Sequence, residues 1–248
     1  MQGTAINVRD VWFSYQADKP VLRGLTLQVR PGEIVGLLGA NGAGKTTTFR
    51  LLASLLRPDA GTIHVAGVDV QTDPRTAKQR CAYVPDEPLL YPHLSALENL
   101  NLFGVLWGVP AEQIRTRTET LLREVGLWEV RHNWVRTYSR GMRQKLALCA
   151  ALLHAPDVLL MDEPFTGLDI EAGLWARTLL EETARAGCGI VFTSHVPELV
   201  EAFASRVAIL HEGRVTYDEP VAKVRQEGGM VAVFLRVQDG LGPVEVTA

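Results

Sequence analysis

Cysteine is scarce in this sequence, with only Cys81, Cys149 and Cys188 among 248 residues. They are scattered, lack CxxC or Cys/His spacing, and lie in apolar or helix-like surroundings. That pattern argues for buried thiols in a reducing compartment and against a disulfide framework. An excess of one charge is missing too: 25 basic residues face 28 acidic ones, for a net charge of -3, and there is no polybasic run. A protein that grips nucleic acid through its phosphate backbone needs clustered Lys and Arg, so no nucleic-acid partner is expected. A local anion site remains open. Long hydrophobic runs are absent as well. The longest, from Leu146 to Leu153, falls far short of the roughly 20 residues a spanning helix needs. The segment Met1 to Asn7 has neither a basic flank nor an apolar core, so it does not read as a signal peptide. A soluble chain is expected, with any membrane role exercised by association.

What is present is a large apolar fraction, 47%, enough to build one large domain or a domain with a subdomain. Ile6 to Val11 and Leu25 to Val29 alternate as strands do, the second running into a Pro31-Gly32 turn. Glu33 to Leu38 reads as a buried strand of a parallel sheet, and residues 46 to 56 follow as a helix. Thr62 to Val70 is strand-like with a break at Gly67. From Leu94 the period changes to helical, with Ser95 and Glu98 spaced as a capping box. Residues near 92 to 140 therefore read as an inserted helical subdomain. Val158 to Met161, Ile190 to Thr193 and Val207 to Leu210 are further short apolar strands separated by helical stretches. The expected fold class is α/β, a mainly parallel sheet covered by helices.

Gly39-Ala-Asn-Gly-Ala-Gly-Lys-Thr46 fits the phosphate-loop pattern without mismatch and lies between a strand and a helix. In such a loop the backbone N–H groups of Gly39, Asn41, Gly42, Ala43 and Gly44 curl toward phosphate oxygens, helped by the positive helix start. Lys45 reaches the outer phosphates, Thr46 offers a hydroxyl to Mg²⁺, and Thr47 continues the site. Asp162 and Glu163 end the apolar strand Val158 to Met161. The first suits Mg²⁺ and the second suits polarisation of a water against the terminal phosphate. By themselves two acids after a strand are more often a solvated turn; beside a phosphate loop the chemical reading leads.

With these residues in order, the chain resembles the ATP-binding domain of ABC transporters over about residues 5 to 220. Ser139-Arg140-Gly141-Met142-Arg143-Gln144 resembles the family signature, Glu163 to Asp169 the end of Walker B plus the D-loop, and His195 the switch histidine. Tyr15 occupies the place of the aromatic that stacks on adenine, with a packed strand aromatic as the alternative. The resemblance implies a P-loop NTPase core with an antiparallel β subdomain and an inserted α-helical subdomain. It implies ATP and Mg²⁺ as ligands, with Glu163 and His195 catalytic. Two copies, identical or not, would pair head to tail, with Ser139, Arg140, Gly141 and Met142 meeting the partner's γ-phosphate and Asp169 at the seam. The further partner implied is an integral membrane permease subunit, which holds the chain at the inner face of the cell membrane. Residues near Asp86 to Tyr91 and the helical subdomain are expected to form the groove that receives the permease; Phe103, Leu106 and Trp107 either contribute to it or, as most large apolar side chains do, pack into the core. Residues 221 to 248 read as a short tail without a motif.

Two positions depart from the family pattern. Asp86 stands where a Gln usually ligates Mg²⁺; it offers an oxygen to a hard cation or is simply a loop acid. Arg140 replaces a signature Gly and either strengthens phosphate binding or points to solvent. The Ser-basic-Gly-Met form resembles ATPases of bacterial export systems with a separate membrane subunit. Two rival readings stand beside transport: an ABC ATPase of DNA repair or translation, and a nucleotide sensor with little turnover. The absence of sustained heptads and of a second cassette disfavours the first; Glu163 with His195 disfavours the second.

Overall fold

Strands β1 (Ile6–Gln16) and β2 (Lys19–Val29) pair antiparallel in a computed structural model that describes residues 3–165 and 170–239. β4 (Ala60–Val65) adds to the free side of β1 and β5 (Val68–Asp69) follows, giving a sheet of order β2-β1-β4-β5. The alternation read in Ile6 to Val11 breaks at one point. Asp10 takes φ 48° in a register shift between Val8 and Val11, so Val11 turns inward and Asp10 outward. In β2 the alternation holds, with Leu25, Leu27 and Val29 buried.

The second sheet has the order β10-β9-β3-β8-β7-β6. Its members are β3 (Ile34–Leu38), β6 (Cys81–Val84), β7 (Val158–Met161), β8 (Gly189–Ser194), β9 (Arg206–His211) and β10 (Arg214–Pro220). All neighbours pair parallel except β10, which pairs antiparallel with β9. β3, β7 and β8 are buried along their whole length, as strands covered on both faces must be. Period-two alternation divides them between two cores. Val35, Leu37, Leu160 and Val191 face the antiparallel sheet and α1 (Lys45–Leu52), where Phe49, Leu51 and Leu52 are buried. Ile34, Leu38, Leu159, Met161, Ile190 and Phe192 face α6 (Ile170–Arg185) and α7 (Pro197–Phe203).

The helical subdomain has its own core, built from α3 (Ala96–Leu106), α4 (Ala111–Glu124) and α5 (Arg140–Leu152), with Leu100, Leu122, Leu146 and Leu153 buried. Its first helix starts where the capping box places it. Ser95 Oγ accepts from the Glu98 amide at 3.2 Å, and Glu98 Oε2 accepts from the Ser95 amide at 2.7 Å. Buried Asn99 then ties the preceding loop down, accepting from the Tyr91 amide at 2.8 Å and donating to Tyr91 O at 3.1 Å. The three cysteines are buried and free. Burial pushes the Cys188 thiol up to about 12, which keeps it protonated and unreactive.

The stretch expected to be a tail differs from that expectation. Val221–Gln226 forms α8 and Met230–Gln238 forms α9, and Val221, Val224, Met230, Val233 and Val237 are buried. Positions 230, 233 and 237 recur at helical spacing, so the apolar face is present in the sequence. The carboxylate of Glu227, between the two helices, is 0% exposed and accepts from Arg236 Nη2 at 3.0 Å. Removing one member of a buried ion pair strands the other. Glu227→Ala is therefore expected to lower stability in urea unfolding by about 2–3 kcal/mol, while Glu227→Met with Arg236→Leu recovers most of it. A loss below about 0.5 kcal/mol for the single variant would show that the pair does not anchor α9.

Candidate nucleotide site

Four parallel strands end on one edge of the sheet, and each delivers a functional residue there. β3 runs into the Gly39-to-Gly44 loop, β7 into Asp162 and Glu163, β8 into His195, and β6 into Asp86. In the loop, Gly39 packs so tightly that a Cβ would meet Leu210 O at 2.6 Å. Gly44 caps α1 at φ 110°, where a Cβ would meet Leu22 Cδ2 at 2.8 Å. A side chain at either point would push the loop off the sheet. Asn41 and Gly42 stand exposed, and Ala43 closes the turn by donating its amide to Ala40 O at 3.2 Å.

Lys45 is buried, with Nζ donating to Gly39 O at 2.7 Å and Ala40 O at 3.1 Å. Burial lowers the pKa of its ammonium, opposed by the charges of Glu163 and Asp162. Asp162, 5% exposed, is held from two sides. Thr46 Oγ1 donates to Oδ2 at 2.8 Å and Thr193 Oγ1 to Oδ1 at 2.5 Å. Thr193 Oγ1 also accepts from the Glu163 amide at 2.9 Å. That bond helps hold Glu163 at φ 49°, a region a residue with a side chain enters only under constraint. His195 Nδ1 lies 2.9 Å from Glu163 Oε1. Half-buried Tyr83 has its pKa pushed up to about 12, by its loss of solvent and then by the charge of nearby Asp162.

The cleft so formed is lined by Asn41, Gly42, Gly44, Lys45, Thr46, Thr47, Asp86, Asp162 and Glu163, together with Val21. Thr46 and Asp162 present hard oxygens close together. Among the described residues no cluster of three or more His, Cys, Asp or Glu side chains is placed to hold a metal. Mg²⁺ ordinarily takes one or two protein oxygens and completes its shell with water and phosphate, so the donor set fits it.

Tyr15 stands at the rim, 54% exposed, its hydroxyl 3.4 Å from Thr47 Oγ1 and accepting from Arg50 Nη1 at 3.3 Å. The packed aromatic of that strand is Phe13, which meets the Tyr15 ring edge-on with centroids 4.9 Å apart. Ser139 caps α5, its Oγ accepting from the Met142 amide at 3.2 Å. Neither Ser139, Gly141 nor Met142 is among the described residues that line this cleft. Arg140 does reach its edge, donating to Asp86 Oδ1 at 3.3 Å. Asp169 lies outside the described residues.

Two lining or bracing residues escape a motif reading. Val21 comes from β2, which carries no nucleotide motif, and nothing in the sequence marks it. Thr193 is detectable only through strand register: Leu160 pairs with Val191 and Met161 with Phe192, so Thr193 falls beside Asp162.

Fold and cleft together define a nucleoside-triphosphate-binding P-loop protein. An ABC transporter family profile matches residues 22–166. The ATP-binding protein NatA of Bacillus subtilis is 40% identical over 216 residues, 86% of this chain and 88% of that protein. The Nod factor export ATP-binding protein I of Paraburkholderia xenovorans is 38% identical over 253 residues, 98% of this chain and 82% of that protein. A solved structure of an ATP-binding subunit of an ABC transporter superposes with TM-score 0.85 at 32% identity, covering 96% of this chain and 98% of that one. The chain belongs to the ABC transporter ATP-binding family.

Thr193 braces the Asp162 carboxylate and the Glu163 backbone, so its removal should act on turnover more than on ATP affinity. Thr193→Val is expected to lower kcat at least tenfold with KM within about twofold, and Thr193→Ser to restore most of the rate. An unchanged kcat in steady-state phosphate release would refute the bracing role.

Proposed function

We propose that this chain is the ATP-hydrolysing subunit of an export system and drives a separate integral membrane permease by ATP-dependent pairing with a second such subunit, identical or not. One observation carries the reading: an unbroken set of contacts from Thr46 through Asp162 and Thr193 to Glu163 and His195. Lys45 and the loop amides bind the phosphates. Thr46 and Asp162, with Asp86 at the cleft edge, are the residues that would hold Mg²⁺, which screens the phosphate charge when bound. Glu163 Oε accepts the proton of a water turned toward the γ-phosphate, and His195 holds that carboxylate in place. Tyr15 offers its exposed ring to the adenine. Ser139 and the amides of Gly141 and Met142, at the positive start of α5, meet the γ-phosphate held by the other subunit, with Asp169 at the seam. Since the γ-phosphate is shared, its binding favours the closed pair and its loss removes that bias.

The permease side of the reading rests on an apolar groove between β6 and the helical subdomain, lined by Val84, Pro85, Leu89, Leu90, Phe103 and Trp107. Leu89, in its lining, is 78% exposed, apolar surface open to a partner, whereas Leu106, 66% exposed at the end of α3, lies outside that lining. Trp107 is fixed by stacking on His154, centroids 4.2 Å apart. A cytoplasmic helix of the permease fits this groove as an apolar ridge. Among the described residues no helix is long and apolar enough to cross a membrane. In this reading the groove contact holds the chain as a peripheral subunit on the cytoplasmic face of the cell membrane.

Glu163→Gln should abolish steady-state ATP hydrolysis by at least a hundredfold while ATP still binds, and Lys45→Ala should weaken ATP binding itself. Equal, slow turnover in wild type and Glu163→Gln would favour a nucleotide sensor. For the groove, Leu89→Asp should cost co-purification with the permease yet leave ATP affinity within about twofold. Retention of the permease by that variant would place its docking site elsewhere.

A further inference from the structure

Arg140 and Asp86, the two positions at which this chain departs from the family pattern, are bound to each other. Arg140 is the first residue of α5, and its Nη2 lies 3.3 Å from Asp86 Oδ1 on the loop after β6. A cation at a helix start opposes the helix dipole, and α5 has no acidic residue in its first turn. The compensating anion comes instead from Asp86, 54 positions away in the chain. The other basic groups near the start of α5 are engaged elsewhere: Arg143 Nη1 donates to Tyr138 O at 2.6 Å, and Lys145 Nζ, in the second turn, sits 5.5 Å over the Trp175 ring. The two substitutions therefore act as one charge-balanced change, which neither residue discloses alone.

Each member also has a second claimant. Asp86 lines the cleft that holds Thr46 and Asp162, the donors suited to Mg²⁺. Arg140 stands beside the signature amides that meet a partner's phosphate in the paired arrangement. Both side chains are 58% exposed, and an exposed ion pair shifts an equilibrium by less than about fivefold. It is weak enough to yield to a stronger counter-ion on either side.

We propose that Asp86 and Arg140 form an exchange pair, closed within the lone subunit and opened when two subunits close on MgATP. Asp86 then gives up Arg140 for the cation beside Thr46 and Asp162, and Arg140 gives up Asp86 for the terminal phosphate held by the second copy. Arg140 is thus a positioning residue for the partner's nucleotide, restrained by its own loop until the cation arrives. The inference rests on the paired reading above.

The test uses the full chain carrying Glu163→Gln, so that ATP persists, and measures the monomer–dimer equilibrium by sedimentation with ATP in Mg²⁺ or in EDTA. Arg140→Gln is expected to weaken the MgATP-dependent dimer about tenfold, while a fluorescent ATP analogue binds the monomer with affinity changed less than about twofold. Asp86→Asn frees Arg140 without a cation, so the dimer formed in EDTA should tighten about three- to fivefold. In the Asp86→Asn, Arg140→Gln double variant that tightening should vanish. Thermal unfolding of all three variants should match the parent, since both side chains are exposed. If Asp86→Asn acts equally with and without Arg140, or changes nothing in EDTA, the exchange is overturned while the paired reading stands. If the parent forms no dimer with ATP in either condition, the paired reading fails and the exchange with it.

Discussion

The carboxylate of Asp162 is buried at the end of β7, and its two oxygens are claimed by hydroxyls from different parts of the chain. A carboxylate taken out of water is tolerated only where hydrogen bonds replace the lost solvation. Thr46, from the helix after β3, and Thr193, at the end of β8, supply them. The strand order β3-β8-β7 is what makes both reachable. Thr193 also fixes the backbone of Glu163 in an otherwise disfavoured conformation. The phosphate loop, Asp162 and Glu163 are therefore a single braced unit. Displacement of one strand end would be felt at all three.

A second joint connects that unit to the helical subdomain. The loop after β6 carries Asp86 at the cleft and Leu89 and Leu90 at the apolar groove. Asn99 holds the far end of this loop against α3 through bonds to Tyr91. One short segment thus touches the cleft, the start of α5 through Arg140, and the apolar groove proposed for a membrane partner.

Much of this was legible in the residues. Glycine at 39 and 44, lysine at 45 and a hydroxyl at 46 report a backbone that must curl around an anion, and that requirement is local. The capping box at Ser95 and Glu98 is equally local, and the structure forms it. Harder to read were features that depend on which strands become neighbours. Thr193 looks like any strand threonine until β8 is placed beside β7. Asp86 and Arg140 look like two separate oddities until the fold brings their side chains within a hydrogen bond. The final helices lay between these cases: the apolar spacing of Met230, Val233 and Val237 was present, but a nine-residue helix is marginal without a surface to pack on.

By itself the sequence determined the elements and the chemical kind of the site, because helix caps, glycine loops and apolar periodicity act over a few residues and need no distant partner. Only the tertiary structure decided that Thr193 braces Asp162, that Arg140 rests on Asp86 and that residues 221–238 close the core. Those outcomes depend on sheet order and register. These are set by the burial of whole faces against one another, and no stretch of the chain encodes them alone.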